Sequence, residues 1–326
     1  MDLEQHTTIV PVHGTTLPSR RIFVHAKPVC ISAKHPWRSA GYAVSMKMAV
    51  LGTGAIGSTF AYQLAKAGHE VTAVARGARL DRLREDRAIV LTDGARAPVA
   101  VAGTLDPSVP YDLVLVTVLA PQVDSVLPAL RQSAARHIMF MFNTFEPLDR
   151  LRDAVGAERF SFGFPGGVLA HLIDGKLRRR ILPGTTVGDA AWAKVFGAAG
   201  IPTVTSADMH GWLRSHAAMV IPLMSIGVVV AHRNAGITWR EARRYAAALA
   251  QGFHIVRGLG HALEPAVLAL FSRLPRTLTT GLLWLMSRTQ ELRKLGALGA
   301  AEPRMLIDMV ATAAPHQAAE LLAIRP

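Results

Sequence analysis

The sequence predicts an α/β protein, an N-terminal doubly wound parallel sheet followed by a C-terminal all-α domain. Three observations predict it. Short β-branched or apolar runs recur between residues 48 and 142, with helix-like segments between them. A glycine-rich turn, Gly52-Thr-Gly-Ala-Ile-Gly57, stands between the first run and the first helical segment. From Ala207 onward the pattern is almost wholly helical.

The elements follow in chain order. Residues 1–45 contain Pro11, Pro18, Pro28 and Pro36, lack sustained periodicity and hold no apolar run long enough for a signal peptide. With Met46 and Met48 just before the first strand, they read as an extension outside the fold, a loose tail or an upstream start. Residues 48–51, 71–75, 112–118 and 137–142 read as strands, and residues 58–67 and 122–131 as helices, which is the alternation of a Rossmann-type unit. A glycine-rich stretch, Phe162-Gly-Phe-Pro-Gly-Gly167, and a hairpin turn at Asp174-Gly175 lead to Gly184-Thr-Thr-Val-Gly188. Breaks near Gly236, Gly260, Pro275 and Gly299 divide the helical part.

Each glycine of the turn has a task. Gly52 allows the tight turn, Gly54 leaves no side chain between the backbone and a pyrophosphate, and Gly57 lets the helix pack close to the strand while its first amides face the phosphates. The preceding strand and the following helix and strand supply the context that makes this a dinucleotide site. The end of the second strand selects the cofactor. Sites that prefer NAD place a carboxylate about twenty residues beyond the glycines, on the ribose 2′-hydroxyl. Here that place holds Arg76, with Gly77 and Arg79 beside it. A guanidinium binds a 2′-phosphate with two hydrogen bonds, so NADP(H) is expected. The expected domains are the extension 1–45, an NADP-binding Rossmann domain 46–206, and a helical domain 207–326 for substrate binding or dimerisation.

Composition sets the outer limits. The 326 residues are half hydrophobic and only 18% charged, enough for two cores and too apolar for a disordered chain. The net charge of +13 raises the question of nucleic acid, but no aromatic-interleaved basic motif occurs, and the densest basic cluster, residues 76–87, surrounds the proposed cofactor phosphate. No nucleic-acid partner is expected. One cysteine, Cys30, leaves no internal disulfide framework and fits a reducing, cytoplasmic compartment. The longest apolar run, residues 217–231, is interrupted by Pro222, Ser225 and Gly227 and falls short of the roughly 18 apolar residues of a spanning helix. It reads as a buried core helix, so no membrane span is expected, while a peripheral contact stays open. No metal site is expected.

The segment from Met48 to Gly57, the string Val74-Ala-Arg-Gly-Ala-Arg-Leu80, the strand Asp112-Leu-Val-Leu-Val-Thr-Val118, and Asn143 after an apolar strand together resemble the ketopantoate reductase (2-dehydropantoate 2-reductase) family. The resemblance covers about residues 47–326, strongly in the first half and faintly in the second. It implies a Rossmann domain joined to a helical domain of the 6-phosphogluconate-dehydrogenase type. NADPH and substrate would occupy the cleft between them, and a 2-keto acid would be reduced to a 2-hydroxy acid. It further implies that Gly52, Thr53, Gly54, Ala55, Ile56 and Gly57 bind pyrophosphate, Arg76 the 2′-phosphate, and that Asn143 lies beside the nicotinamide ribose and the substrate. An Asn at the carboxyl end of a parallel strand is also where open α/β sheets put ligands.

The sequence departs from the family at several positions. The place of the family's lysine near the cofactor holds Leu119, and its Asn-Gly turn is Asn143-Thr144. The family's proton-donating lysine, with asparagines one and two turns later, falls in Trp212-Leu-Arg-Ser-His-Ala-Ala-Met-Val-Ile-Pro222. Its place there is Arg214 or Leu213, and the asparagines become Ala218 and Pro222, or Ala217 and Ile221. Lys176, Lys194 and Lys294 lie outside the motif.

The loss has chemical consequences. Hydride transfer to a carbonyl leaves an alkoxide that needs a positive partner and a proton. Arg214 supplies charge but releases no proton at neutral pH. His216 can supply one, though it lies about 200° round the helix from Arg214, and a packing role beside Trp212 competes with that reading. Glu302, ahead of Pro303, falls where the family has a glutamate near the substrate, and ordinary helix-start capping is its alternative. The run Arg178-Arg-Arg180 reads as a solvated hairpin edge, and Trp239, Phe253, Phe271 and Trp284 read as core. The expected function is NADPH-dependent reduction of a small-molecule carbonyl substrate, with a homodimer compatible. The alternative is an NADP(H)-binding sensor or interaction protein without reductase activity.

Overall fold

The computed structural model describes residues 45–297 and 299–326, so the expected extension and Cys30 lie outside the described residues, apart from Ser45. The first strand, β1 (Lys47–Leu51), shows how the architecture arises. Successive side chains on a strand point to opposite faces. Met48 and Val50 enter one apolar layer, and Ala49 and Leu51 another. A strand buried on both faces needs helices on both, which is the doubly wound arrangement.

The chain continues through α1 (Ala55–Lys66), β2 (Glu70–Val74), α2 (Gly77–Asp86), the small ladder β3 (Ala88–Val90) with β4 (Arg96–Pro98), and β5 (Ala100–Ala102). After β6 (Leu113–Val116) come a 3-10 helix (Ala120–Ser125), α3 (Leu127–Gln132), β7 (Ile138–Phe140), α4 (Asp149–Val155) and β8 (Phe160–Pro165). The hairpin β9 (Val168–Ile173) and β10 (Lys176–Ile181) precedes β11 (Thr185–Val187), α5 (Ala190–Ala198) and β12 (Thr203–Thr205). The main sheet has eight strands in the order β12-β11-β8-β7-β6-β1-β2-β5. From β5 across to β8 every pairing is parallel, as expected. At the far edge β11 runs antiparallel to β8 and β12 parallel to β11, so the sheet as a whole is mixed. The hairpin turns on Asp174 and Gly175 with φ of 48° and 75°, both left-handed, the geometry of a two-residue type I′ turn.

The hairpin lies over α1, and there the arginine run divides. Arg178 and Arg180 are exposed, whereas Arg179 is half-buried with its guanidinium 4.8 Å from the centre of the Tyr62 ring. That stacking contact takes Arg179 out of the solvated edge expected for all three.

The remainder is helical: α6 (Met209–Arg233), α7 (Trp239–Gly258), α8 (Ala266–Phe271), α9 (Arg276–Met286), α10 (Gln290–Gly296), α11 (Ala301–Ala313) and α12 (Ala319–Leu322). All four expected breaks fall between helices. The long helix α6 runs through Pro222, which the sequence reading took as an interruption. At 25 residues it is long and apolar enough to cross a membrane by length and composition, and 72% of its most apolar window is buried inside the protein. Its burial depends on small residues. A Cβ on Gly296 of α10 would stand 1.9 Å from the Gly227 carbonyl oxygen of α6, so the two helices touch backbone to backbone.

The sheet and the helices exchange side chains at one joint. Phe145, in the loop after β7, is fully buried in the helical core, while Met209, Trp212 and Leu213 of α6 complete the core of the sheet. Of the aromatics expected inside, Phe253 is buried and Phe271 and Trp284 are packed at the margin, but Trp239 is 49% exposed. It stands in the first turn of α7 and leans on Trp284 and Gly281 of α9 from outside, so the helix start keeps it at the surface.

Candidate active site

Close contacts require glycine at two of the three positions of the turn, and the third faces open space. Gly52 has φ of 96°, and a Cβ there would meet Val118 at 2.8 Å. A Cβ on Gly57 would stand 2.4 Å from Thr117 Oγ1 and 2.5 Å from the Gly52 oxygen, so only glycine lets α1 approach β6 this closely. At Gly54 a Cβ would meet nothing within 4 Å. That open space is the mouth of a cleft of about 660 Å³ at the carboxyl ends of β1, β2 and β6, lined by Gly52 to Ile56, Arg76 and Leu119. The first-turn amides of α1, at Ala55 and Ile56, have no intrahelical acceptor and open on the same cleft. This is the sheet's switch point, where β1 is flanked by β2 on one side and β6 on the other.

Arg76 and Arg79 have different duties. Arg79 donates through Nε to the Thr53 oxygen at 3.0 Å, through Nη1 to the Gly175 oxygen at 2.7 Å and through Nη2 to Ser58 Oγ at 2.8 Å. It braces the glycine turn, and burial lowers its pKa. Arg76 stands two residues after β2, lines the cleft, is exposed, and its guanidinium has no hydrogen-bond or ion-pair partner among the described residues. Leu119, at the position expected from the family's lysine, is 66% exposed on the cleft wall and brings no charge.

Asn143 and Glu302, 159 residues apart, meet at the joint. Asn143 is buried, and its Nδ2 donates to Glu302 Oε1 at 3.1 Å. Its Oδ1 is buried without a partner, an acceptor held ready for a donor. Glu302 lies in the first turn of α11, but its carboxylate reaches across to the loop after β7 instead of folding back on its own helix start.

Arg214 is buried at the same joint, with 6% of its surface exposed. Its Nε donates to the Phe145 oxygen at 3.2 Å, and its Nη1 lies 3.0 Å from His261 Nε2. An arginine can only donate, so His261 accepts at Nε2 and carries its proton on Nδ1, which lies 2.8 Å from Asp208 Oδ2. Asp208 in turn caps α6 by accepting from the Gly211 amide at 2.8 Å. His210 hydrogen-bonds the Glu146 main chain and packs edge-on against His261, and its Nε2 is buried without a partner. Burial, then the neighbouring charge of Arg214, pushes its pKa down to about 4.

The structure therefore brings Asn143 to Glu302 and sets Arg214 against the same loop. It does not bring His216 to either group. His216 is stacked on Trp212, with rings 5.3 Å apart and within 4° of parallel, and lies 4.1 Å from the Phe164 ring. Burial pushes it down to about 4, so it is neutral at pH 7. Sequence reasoning missed Asp208 and His261. The only local signal was an Asp immediately before a helix with Gly three positions on, which predicts a cap and nothing more.

The sequence model described as ketopantoate reductase PanE/ApbA matches residues 48–191. No curated protein sequence matches the chain. Among solved structures, a PanE/ApbA family ketopantoate reductase from Ralstonia eutropha JMP134 is similar with TM-score 0.66 at 20% identity, covering 86% of this chain and 97% of that one. D-mandelate dehydrogenase in complex with NADH is similar with TM-score 0.62 at 17% identity, covering 86% and 97%. A dimeric ketopantoate reductase from Staphylococcus aureus gives 0.60 at 14%, covering 86% and 96%. Identities this low speak for the fold alone. Over residues 48–191 the chain is thus a divergent match to the ketopantoate reductase family, and over the described residues it has the fold of that family's solved structures.

Proposed function

We propose that the protein is an NADPH-dependent oxidoreductase that reduces a 2-keto acid or a related small carbonyl compound to the hydroxy compound. The observation that carries this reading is the glycine turn, where close contacts require glycine at Gly52 and Gly57 and Gly54 faces the open cleft, with the unpartnered cation Arg76 at the end of the next strand. Gly52 to Gly57 would hold the pyrophosphate, Arg76 the 2′-phosphate, and Asn143 the nicotinamide ribose. When bound, the reduced nicotinamide supplies a hydride to the carbonyl carbon.

The chain's own residues then have two tasks. The carbonyl oxygen gains negative charge, and the Arg214 guanidinium, low in dielectric beside the Phe145 ring, stabilises it or an adjacent carboxylate. The alkoxide also needs one proton. Glu302, hydrogen-bonded to Asn143, is the group we assign to its delivery, whereas His216 is stacked between aromatic rings and serves packing. Ketopantoate and mandelate are the keto and hydroxy sides of the same functional class, which supports a 2-keto acid without selecting one. A homodimer, as in the Staphylococcus enzyme, is compatible and does not enter the chemistry.

One observation favours a second reading, an NADP(H)-binding sensor. Arg214 is already engaged by Phe145 and His261, and no lysine is hydrogen-bonded to Asn143 or Glu302 among the described residues. Cofactor titration tests what both readings share. NADPH should bind at least about tenfold more tightly than NADH, and Arg76→Asp should reverse the order, since a bidentate guanidinium–phosphate contact becomes a repulsion. Unchanged selectivity in the variant would remove Arg76 from the site.

A further inference from the structure

Helix α9 is built inside out. Its packed side carries Thr279, Thr280 and Leu283, with Ser287 buried just beyond its end, while its outer side carries Leu278, Leu282 and Leu285 at 56%, 41% and 60% exposure. A helix with water on its outer side normally turns the apolar stripe inward and the hydroxyls outward. Met286 and the exposed ring of Trp239 widen the leucine stripe. A contiguous apolar surface of this kind marks a contact with something other than water.

Charge selects the occupant. Between Pro265 and Gln290 the sequence has no Asp or Glu, but it has Arg273 and Arg276, exposed at the start of α9, and Arg288, exposed at its end with its guanidinium stacked on Trp284 and hydrogen-bonded to Ser287. A second copy docked face to face through this surface would bring those cations against each other. An anionic bilayer satisfies both features at once. Leucine and tryptophan enter the boundary between headgroups and acyl chains, and arginines meet lipid phosphates. We propose that α9, with the first turn of α7, docks this protein on an anionic membrane surface. The helix lies in the plane of the interface, and α6 stays in the protein core. The proposal rests on this face alone and is independent of the reductase reading.

Co-sedimentation of the full-length chain with vesicles tests it, using phosphatidylcholine with phosphatidylglycerol at two to one, and phosphatidylcholine alone. The protein should pellet with the anionic vesicles and be released by added salt. The double variant Leu282→Glu, Leu285→Glu, at positions already exposed, should bind at least about tenfold more weakly with an unchanged melting temperature and circular dichroism. Arg273→Glu with Arg276→Glu should abolish the preference for anionic vesicles. Failure to pellet with either vesicle overturns the proposal, as does equal binding by the leucine variant. A concentration-dependent dimer in vesicle-free solution that the leucine variant dissociates would assign the face to a second copy and overturn it too.

Discussion

Glu302 shows how a single residue acquires a role that its own neighbourhood does not announce. Read along the chain it is an acid before a proline at a helix start, and such residues commonly serve the helix dipole. In the fold its carboxylate accepts from Asn143 across the joint between sheet and helices, beside an Asn oxygen that lacks any partner. Glu302→Gln keeps an oxygen to accept from Asn143 but removes the acid–base group. Turnover should fall about a hundredfold while NADPH affinity stays within about twofold. Unchanged turnover would return Glu302 to the helix start. Arg214 shows the limit of reading residues singly. Its identity was legible, but its partners were not, because Asp208 and His261 come from opposite ends of two helices and meet only when α6 and α7 pack. His216 was legible as a packing residue through Trp212 four positions earlier, one helical turn away.

Among elements, the parallel strands were legible because both of their faces are buried, and four of the helix breaks because Gly236, Gly260, Pro275 and Gly299 stand at them. The break at residues 287–289, between α9 and α10, has neither glycine nor proline, and Thr289 makes it by capping α10 through the Leu292 amide. The antiparallel edge at β11 was not legible, since a three-residue strand carries no sign of its direction. Pro222 misled in the other direction, for α6 is held by packing against α7, α10 and α11 and tolerates the missing amide. The contact of Gly227 with Gly296 is the tightest part of that packing. Gly296→Ala must push α10 off α6, and urea unfolding should report a loss on the order of 3 kcal/mol. A loss below about 0.5 kcal/mol would mean that α10 can shift without cost.

Over the whole molecule, two neutral histidines at the joint couple stability to pH. His210 and His216 sit near pKa 4 in the fold and near 6.5 when unfolded. Between those values the unfolded chain binds more protons, so stability is full above about pH 6.5 and falls as pH drops toward 4. The enclosed His216 accounts for up to about 3 kcal/mol of this, and the half-open His210 for less. The melting temperature should therefore decline across that window, and His216→Phe, which keeps the aromatic stack, should flatten the decline. The proposed activity is hydride transfer at the cleft of the glycine turn, whose lining contains no lysine among the described residues. The most direct measurement is NADPH oxidation by the full-length protein against a panel of 2-keto acids that includes ketopantoate, with cofactor binding followed in the same samples by fluorescence. Turnover of at least one member, with NADPH preferred over NADH, is the predicted result. Tight NADPH binding with no oxidation across the panel would contradict it and leave the sensor reading.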